Sequence, residues 1–491
     1  MKKLCLLLAL CLLLAGCSND SGQKPATQNT EALENPWVSF DIFAVNDLHG
    51  KLADTEAQPG VDELSTYLTQ AQTQNTILLS TGDMWQGASE SNLTNGFIVT
   101  EWMNQMGFAA MTVGGHEFDW GEEWVRQNNQ LAQFPFLGIN VFHRATDQRV
   151  DYCESSVVID MEGVQIGIIG AIGDCYSSIA PYHTKDIYFK TGAELTALVK
   201  AESEKLRSEG ADFIIYTIHD GHDKTSSYTN AIAVGAAELA DYYDVALSDG
   251  YVDLVFEADS HYEYVLIDKH GVYHLQGGDN NSGLAHARVL IKRTTGEFSV
   301  ATAELLPSSK YRSMEDHPVV EDLLEKYAEK IAPAGRILGS NSHYRNRREL
   351  CQLVADLYCD KGMEKWGSQY DIVLGGGYMS CRSPGYLEKG QVIYSQLLAL
   401  FPFDNQITLC SIQGRDLISK FLETDHSAYY IKTTAYGQSI RNSIDPDATY
   451  YVVTDSYSAY YSYNNMTVID VYSENIFARD LVAEYIAQGN F

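Results

Sequence analysis

Four short polar clusters, each closing a strand-length hydrophobic run, constrain this chain more than any other feature. They are Asp47-Leu48-His49-Gly50, Gly82-Asp83, Gly114-Gly115-His116-Glu117-Phe118-Asp119 and His219-Asp220-Gly221. The runs before them are Phe40 to Val45, Thr76 to Ser80, Met111 to Val113 and Asp212 to Ile218, and a fifth cluster, Asp259-Ser260-His261, follows Val252 to Phe256. Short apolar runs bounded by such residues read as buried strands that carry their polar groups at one end. Carboxylates and imidazoles gathered there bind divalent cations, and paired cations activate water near neutral pH. Asp47 and His49 flank Leu48, so in extended backbone both side chains point the same way and reach one ion. A carboxylate at Asp83, beside Gly82, can bridge two ions, and His219 ends another strand. His116 and Asp119 lie three apart, which lets the acid orient the imidazole as a general acid or a stabilising cation. Each cluster alone is a weak signal, since a lone histidine is more often structural; their order and strand-end placement carry the inference.

At 491 residues the chain is too long for one ordinary domain, and its 45% apolar content is ample for packed cores. Met1-Lys2-Lys3, an apolar stretch from Leu4 to Ala15 and then Leu14-Ala15-Gly16-Cys17 read as a signal peptide over 1–16. Leu-Ala-Gly-Cys resembles a bacterial lipobox, which implies lipidation of Cys17; plain cleavage near Gly16 is the alternative. Residues 17–36, rich in Ser, Asn, Gln, Thr and Ala, read as a flexible tether. The expected location is therefore extracytoplasmic, on a membrane anchor. A formal charge of −31 disfavours nucleic-acid polymers, but it does not forbid a small anion met by local cations or arginines. Cys153, Cys175, Cys351, Cys359, Cys381 and Cys410 lack the tight spacing of a zinc ribbon, and the sequence leaves disulfides and buried thiols equally open.

Residues 37–310 alternate strand-like and helix-like segments. Helical spacing covers Asp62 to Gln74, Trp120 to Leu131 and Glu194 to Ser208; further strands are expected at Val164 to Ile169, Tyr264 to Asp268 and Arg288 to Lys292. The charged helical pattern from Glu315 to Ile331 suits an interdomain helix within 311–334, and 335–491 read as a second α/β block rich in Tyr and Gly.

Val45-Asn46-Asp47-Leu48-His49-Gly50, Thr81-Gly82-Asp83-Met84-Trp85-Gln86-Gly87 and Gly115-His116-Glu117-Phe118-Asp119-Trp120-Gly121 together resemble the bacterial 5′-nucleotidase / UDP-sugar hydrolase / 2′,3′-cyclic phosphodiesterase family. The resemblance implies a four-layer αββα metallophosphoesterase domain followed by a C-terminal α/β substrate-binding domain. It implies one divalent cation on Asp47, His49 and His261, with Asp83 bridging to a second cation on His219, and His116, oriented by Asp119, at the transferred phosphoryl group. Two departures affect the second cation. Gly115 stands where the family has a ligating Asn, and Asp259 stands where it has a His. Asp259 is a candidate replacement ligand of harder character, and manganese, magnesium, iron and zinc are not distinguished.

In the C-terminal block, Leu350-Cys351-Gln352-Leu353-Val354-Ala355-Asp356 resembles a family helix, preceded by Arg345, Arg347 and Arg348. Gly375-Gly376-Gly377 with Arg382 loosely resembles the family's Gly-rich loop, and Phe401-Pro402-Phe403-Asp404-Asn405 its Pro-Phe-x-Asn segment. Arg345, Arg348, Arg382, Phe403, Asn405 and Tyr457 are the implied substrate contacts, with arginine forks for phosphate and two aromatic faces for a base. The expectation is a monomeric, surface-tethered phosphoesterase acting on 5′-nucleotides or related small phosphate esters. The rival expectation is a non-catalytic nucleotide- or partner-binding lipoprotein on the same scaffold.

Overall fold

The computed structural model describes residues 36–491 apart from 55–58, 180–182, 223–247, 379–380, 383, 424–428, 461–464 and 473–475. The signal segment, Cys17 and the tether lie outside the described residues.

Strands β1 (Trp37–Val45), β2 (Thr76–Ser80), β3 (Ala110–Thr112) and β4 (Phe136–Leu137) run parallel in one sheet. A second sheet holds β5 (Ser156–Met161), β6 (Val164–Ile172), β7 (Phe213–His219), β8 (Leu254–Phe256), β9 (Glu263–Ile267) and β10 (Tyr273–Gly277). Strands β11 (Gly283–Lys292) and β12 (Phe298–Pro307) return to the first sheet, giving the orders β12-β11-β1-β2-β3-β4 and β9-β10-β8-β7-β6-β5. All seven residues of β7 are buried, because both faces of its sheet are covered.

The two sheets pack face to face through Phe40, Ile42, Ile77 and Leu79 on one side and Ile166, Phe213, Ile215 and Phe256 on the other. Outside the first sheet lie α1 (Asp62–Ala71), α2 (Phe97–Met106) and α3 (Glu122–Leu131), which bury Leu64, Leu68, Trp102, Met103 and Val125 against Phe43 and Val45. Outside the second lies α4 (Gly192–Ser208), with Leu195, Val199 and Leu206 on Ile214, Tyr216 and Ile218. The helix–sheet–sheet–helix layering follows from these three separate apolar cores.

The pattern from Glu315 to Ile331 divides at Tyr327 into α5 (Pro318–Lys326) and a single turn, Ala328–Ile331. Proline at the first helical position and the His317 side chain at the cap fix where α5 starts. Val319, Val320 and Leu323 join the core under the first sheet's helices.

The C-terminal sheet comprises β13 (Ile372–Tyr378), β14 (Ile407–Gln413), β15 (Tyr429–Thr433), β16 (Thr449–Asp455) and β17 (Met466–Val471), ordered β15-β13-β16-β14-β17. Against it packs α6 (Arg347–Trp366), begun by a reciprocal capping box between Asn346 and Glu349. Leu350, Val354 and Tyr358 of α6 meet Ile372, Leu409 and Val453. The six cysteines named above are buried and form no disulfide among the described residues. No helix among the described residues is long and apolar enough to cross a membrane.

Candidate metal centre

Parallel strands end at one edge of their sheet, so the residues just past those ends are neighbours whatever their separation in sequence. Asp47 follows β1, Asp83 follows β2 and His116 opens a short turn after β3. In the second sheet His219 ends β7, and Asp259 and His261 follow β8. The two edges meet: Asp83 Oδ2 lies 3.1 Å from His219 Nε2, and the Asp259 amide donates to Asp47 Oδ2 at 3.1 Å. Three overlapping triads, Asp47–His49–His261, His49–Asp83–His116 and Asp47–Asp83–His219, each place one donor atom per residue within 4.8 Å of the others.

Hydrogen bonds fix which imidazole nitrogens face this space. His49 Nδ1 is 3.0 Å from the Gln86 carbonyl oxygen and His219 Nδ1 is 2.8 Å from that of Thr81. A carbonyl oxygen only accepts, so each Nδ1 carries a proton and each Nε2 turns towards the cage. His219 Nε2 then confronts a carboxylate oxygen, and His49 Nε2 sits 3.2 Å from His261 Nε2. Acceptors at such distances need a proton or a cation between them. Asp47 Oδ1 and His219 Nε2 are buried and make no hydrogen bond among the described residues. This donor set fits divalent cations.

Burial alone would lower the pKa of His219, but the Asp83 carboxylate outweighs it and raises it well above its ordinary range, so that without a cation a proton takes the place at Nε2. Burial, helped by the neighbouring His116, holds His49 down at about 3, which leaves its imidazole neutral. Burial pushes Asp83 up, but the imidazoles of His219 and His116 outweigh it and keep the carboxylate well below its ordinary range. Asp259 is pushed up to about 6 by burial, with the Asp83 and Asp47 carboxylates adding to it against the pull of His219.

Backbone strain marks the same residues. Among the described residues eleven non-glycines have φ in the left-handed region, and five of them are Asp47 (48°), His49 (50°), Asp83 (53°), Asp259 (64°) and His261 (62°). Such strain is stored at sites where side-chain placement matters more than local stability. Glycine is required at two adjoining positions. Gly82 has φ 101°, and a Cβ at Gly114 would stand 2.4 Å from Asp83 Oδ1.

His116 Nδ1 is 2.6 Å from Asp119 Oδ2, and its amide donates to Asp83 Oδ1 at 2.8 Å. Burial alone would lower its pKa, but the carboxylates of Asp119 and Asp83 outweigh that and raise it to about 9. Glu117, quoted above only as part of a motif, is a support that sequence reasoning gave no role. Its carboxylate accepts from the amides of Asp83 (2.9 Å), Met84 (2.8 Å) and Gly114 (2.6 Å), binding two cluster loops together. Gly115 has φ −65° and ψ −46°, a conformation open to any residue, and offers no ligand.

A cavity of about 260 Å³ joins this cage to the C-terminal residues, with Asp83, His116, Asp119, Asp259 and His261 on one side and Arg382, Phe403, Asn405 and Tyr457 on the other. Arg382 Nη2 is 3.2 Å from His116 Nε2, and its guanidinium lies 5.0 Å over the Phe403 ring. Phe403 stacks on His116, with ring centroids 5.7 Å apart. Arg345 and Arg348, expected as substrate contacts, line neither this cavity nor the adjoining one. Arg345 instead lies 4.1 Å over the Phe491 ring and donates from Nε to Asn341 Oδ1. Arg347, at the start of α6, lines the adjoining cavity of about 230 Å³ with Lys51, His49, His261 and Arg382. Arg345 lies before the cap, bridged to Leu387, while Arg347 and Arg348 diverge by about 100° around the helix start, so only one of them faces the site, and the sequence does not say which.

No family model matches the chain. Protein UshA of Yersinia enterocolitica is 24% identical over 472 residues, covering 85% of this chain and 83% of that protein. Endonuclease YhcR of Bacillus subtilis is 26% identical over 475 residues, covering 86% of this chain but 37% of that protein. The 5′-nucleotidase of Vibrio cholerae is 24% identical over 457 residues, covering 82% and 78%. Among solved structures, the 5′-nucleotidase precursor of Thermus thermophilus superposes with a TM-score of 0.66 at 16% identity, over 92% of this chain and 97% of that one. The chain thus aligns with UshA and 5′-nucleotidase proteins over most of its length, and it shares the fold of a solved 5′-nucleotidase precursor.

Proposed function

We propose that this protein is a surface-tethered phosphoesterase that hydrolyses 5′-nucleotides, or related small phosphate esters, to nucleoside and phosphate. The observation that carries the reading is the shared cavity: the strand-end cage and the His116–Asp119 pair open onto the same space as Arg382, Phe403, Asn405 and Tyr457. In this reading residues 37–310 form the hydrolase domain, 311–334 the connecting helix and 335–491 the substrate-binding domain. Cys17 carries the lipid anchor, and the chain acts as a monomer.

Asp47, His49 and His261 would hold one divalent cation, Asp83 both, and His219 with Asp259 the second. Bound there, the cations supply Lewis acidity and lower the pKa of water. The chain's own groups do the rest. His116, protonated at neutral pH, directs Nε2 into the cavity and stabilises negative charge on the departing oxygen. Asp119, 2.6 Å from Nδ1, would fix the orientation of that ring and favour its protonated form. Arg382 presents a planar fork to phosphate oxygens. Phe403 and Tyr457 offer faces to the base, each stack contributing about 1–3 kcal/mol. Asn405, which lines the same cavity, would select among base edges. The strongly acidic surface favours a small substrate over a polymer.

A phosphate-release screen of AMP, UDP-glucose and cyclic nucleotides with manganese, magnesium, iron and zinc tests the reading; release from a nucleotide with at least one metal is expected. The second reading, a binder without turnover, is favoured by Gly115 and Asp259, which both alter the second cation's ligands. One tight metal site by calorimetry, with no phosphate released under any condition, would establish it.

A further inference from the structure

We propose that Cys175 is a ligand of the second cation, supplying a thiolate to a site where Gly115 supplies nothing. The inference rests on the two-cation reading above and specifies the chemistry of its altered half.

Strand topology brings Cys175 there. In the second sheet β8, β7 and β6 are consecutive neighbours, all parallel. Their ends deliver Asp259, His219 and Cys175, in that order, to one edge. Ile172 pairs with His219, and beyond it the chain turns back across the strand end. The Gly173 amide donates to the His219 carbonyl at 3.0 Å, and the Asp174 amide donates to Asp220 Oδ2 at 2.9 Å. Gly173 has no room for a side chain, since a Cβ would lie 2.2 Å from Asp220 Oδ2. This close approach fixes the short turn that carries the thiol.

The donor atoms converge. Cys175, His219 and Asp259 each place one ligand atom within 4.8 Å of the other two. Cys175 is buried, and its Sγ lies 3.2 Å from the His219 carbonyl oxygen. The independent sign of a ligand is His219 itself. It is wholly buried, its Nδ1–H is committed to Thr81, and its Nε2 faces Asp83 Oδ2 at 3.1 Å with no hydrogen bond in place between them among the described residues, a gap that a cation fills. With Asp83 as the shared carboxylate, the second cation then has four donors: two carboxylates, an imidazole and a sulfur. Coordination converts the thiol to a thiolate, and one proton passes to solvent. A sulfur donor moves the preference of this site towards zinc, cobalt or iron and away from magnesium.

The test is spectroscopic. The full chain is loaded anaerobically with cobalt(II) in two equivalents. A thiolate-to-cobalt charge-transfer absorption in the near ultraviolet should grow with the weaker-binding equivalent, and C175S should lack it. Zinc affinity of the weaker site in C175S should fall by at least about tenfold, with the tight site unchanged. Two bound cobalt ions without the charge-transfer band, or a band that persists in C175S, would overturn the assignment of Cys175 alone. Absence of the band from the wild-type spectrum overturns the assignment whether or not C175S folds. A chain that binds no cobalt would overturn the two-cation reading as well.

Discussion

Asp83 sits where the two sheets end against each other, and both of its oxygens are committed: one accepts the His116 amide and the other faces His219. Asp83→Asn keeps the volume and removes the charge. It should abolish cation pairing and lower phosphate release by at least about 10²-fold, while the melting temperature with chelator present stays close to wild type. Rate assays with metal titration, alongside thermal melts, check both halves of this expectation. His116→Ala should lower kcat by about 10²–10⁴ with little change in KM, because its Nε2 is placed for charge that develops during reaction. Gly115→Asn fits the backbone already present and should tighten the weaker cation site, as read by calorimetry. Unchanged affinity there would show that the loop after β3 does not approach the second cation.

At the scale of elements, most of the strands and helices were legible because their apolar spacing is local. The runs Thr76 to Ser80 and Val164 to Ile169 fall on β2 and β6, and the helical spacing from Glu194 to Ser208 falls on α4. The Glu315 to Ile331 pattern was less legible. Its periodicity does not reveal the break at Tyr327 or that α5 buries its apolar face under the first sheet's helices. One element carries a pH-dependent contribution. Asp62 opens α1, and burial, with Asp54, Asp316 and Glu63 nearby, raises its pKa from 3.8 to about 7. The folded state therefore holds this proton more tightly than the unfolded one. The stabilisation is complete below about pH 4 and is lost as pH rises through about 7. Asp62→Asn should melt higher than wild type at pH 8, by about 1 kcal/mol once solvent screening is discounted, and no higher at pH 4. In the C-terminal block, a Cβ at Gly375 would stand 2.3 Å from the Cys359 Cα of α6. Backbone cannot yield as a side-chain tip can, so Gly375→Ala should loosen α6 from its sheet and lower the melting temperature.

Across the whole molecule, one cavity is lined by residues from both halves of the chain. His116 touches Arg382 and stacks on Phe403, residues more than 260 positions away. Phe403→Ala should therefore raise KM for a nucleotide by about tenfold, the lower end of a base stack, and leave hydrolysis of a phosphate ester without a base nearly unchanged. Steady-state kinetics on the two substrate types separate these outcomes.

The sequence by itself determined the strands and helices and the polar clusters at their ends, because hydrophobic period and turn chemistry act over a few residues. Only the tertiary structure decided which clusters meet. Asp47 and Asp259 are 212 positions apart, yet they share a hydrogen bond because strand order brings their ends together. The same order sets Cys175 beside His219, although nothing near Cys175 in the chain marks it, and helix phase turns Arg347 rather than Arg348 towards the cavity. Local interactions fix where each side chain sits on its own element. Proximity between elements comes from packing apolar faces that the linear order does not encode.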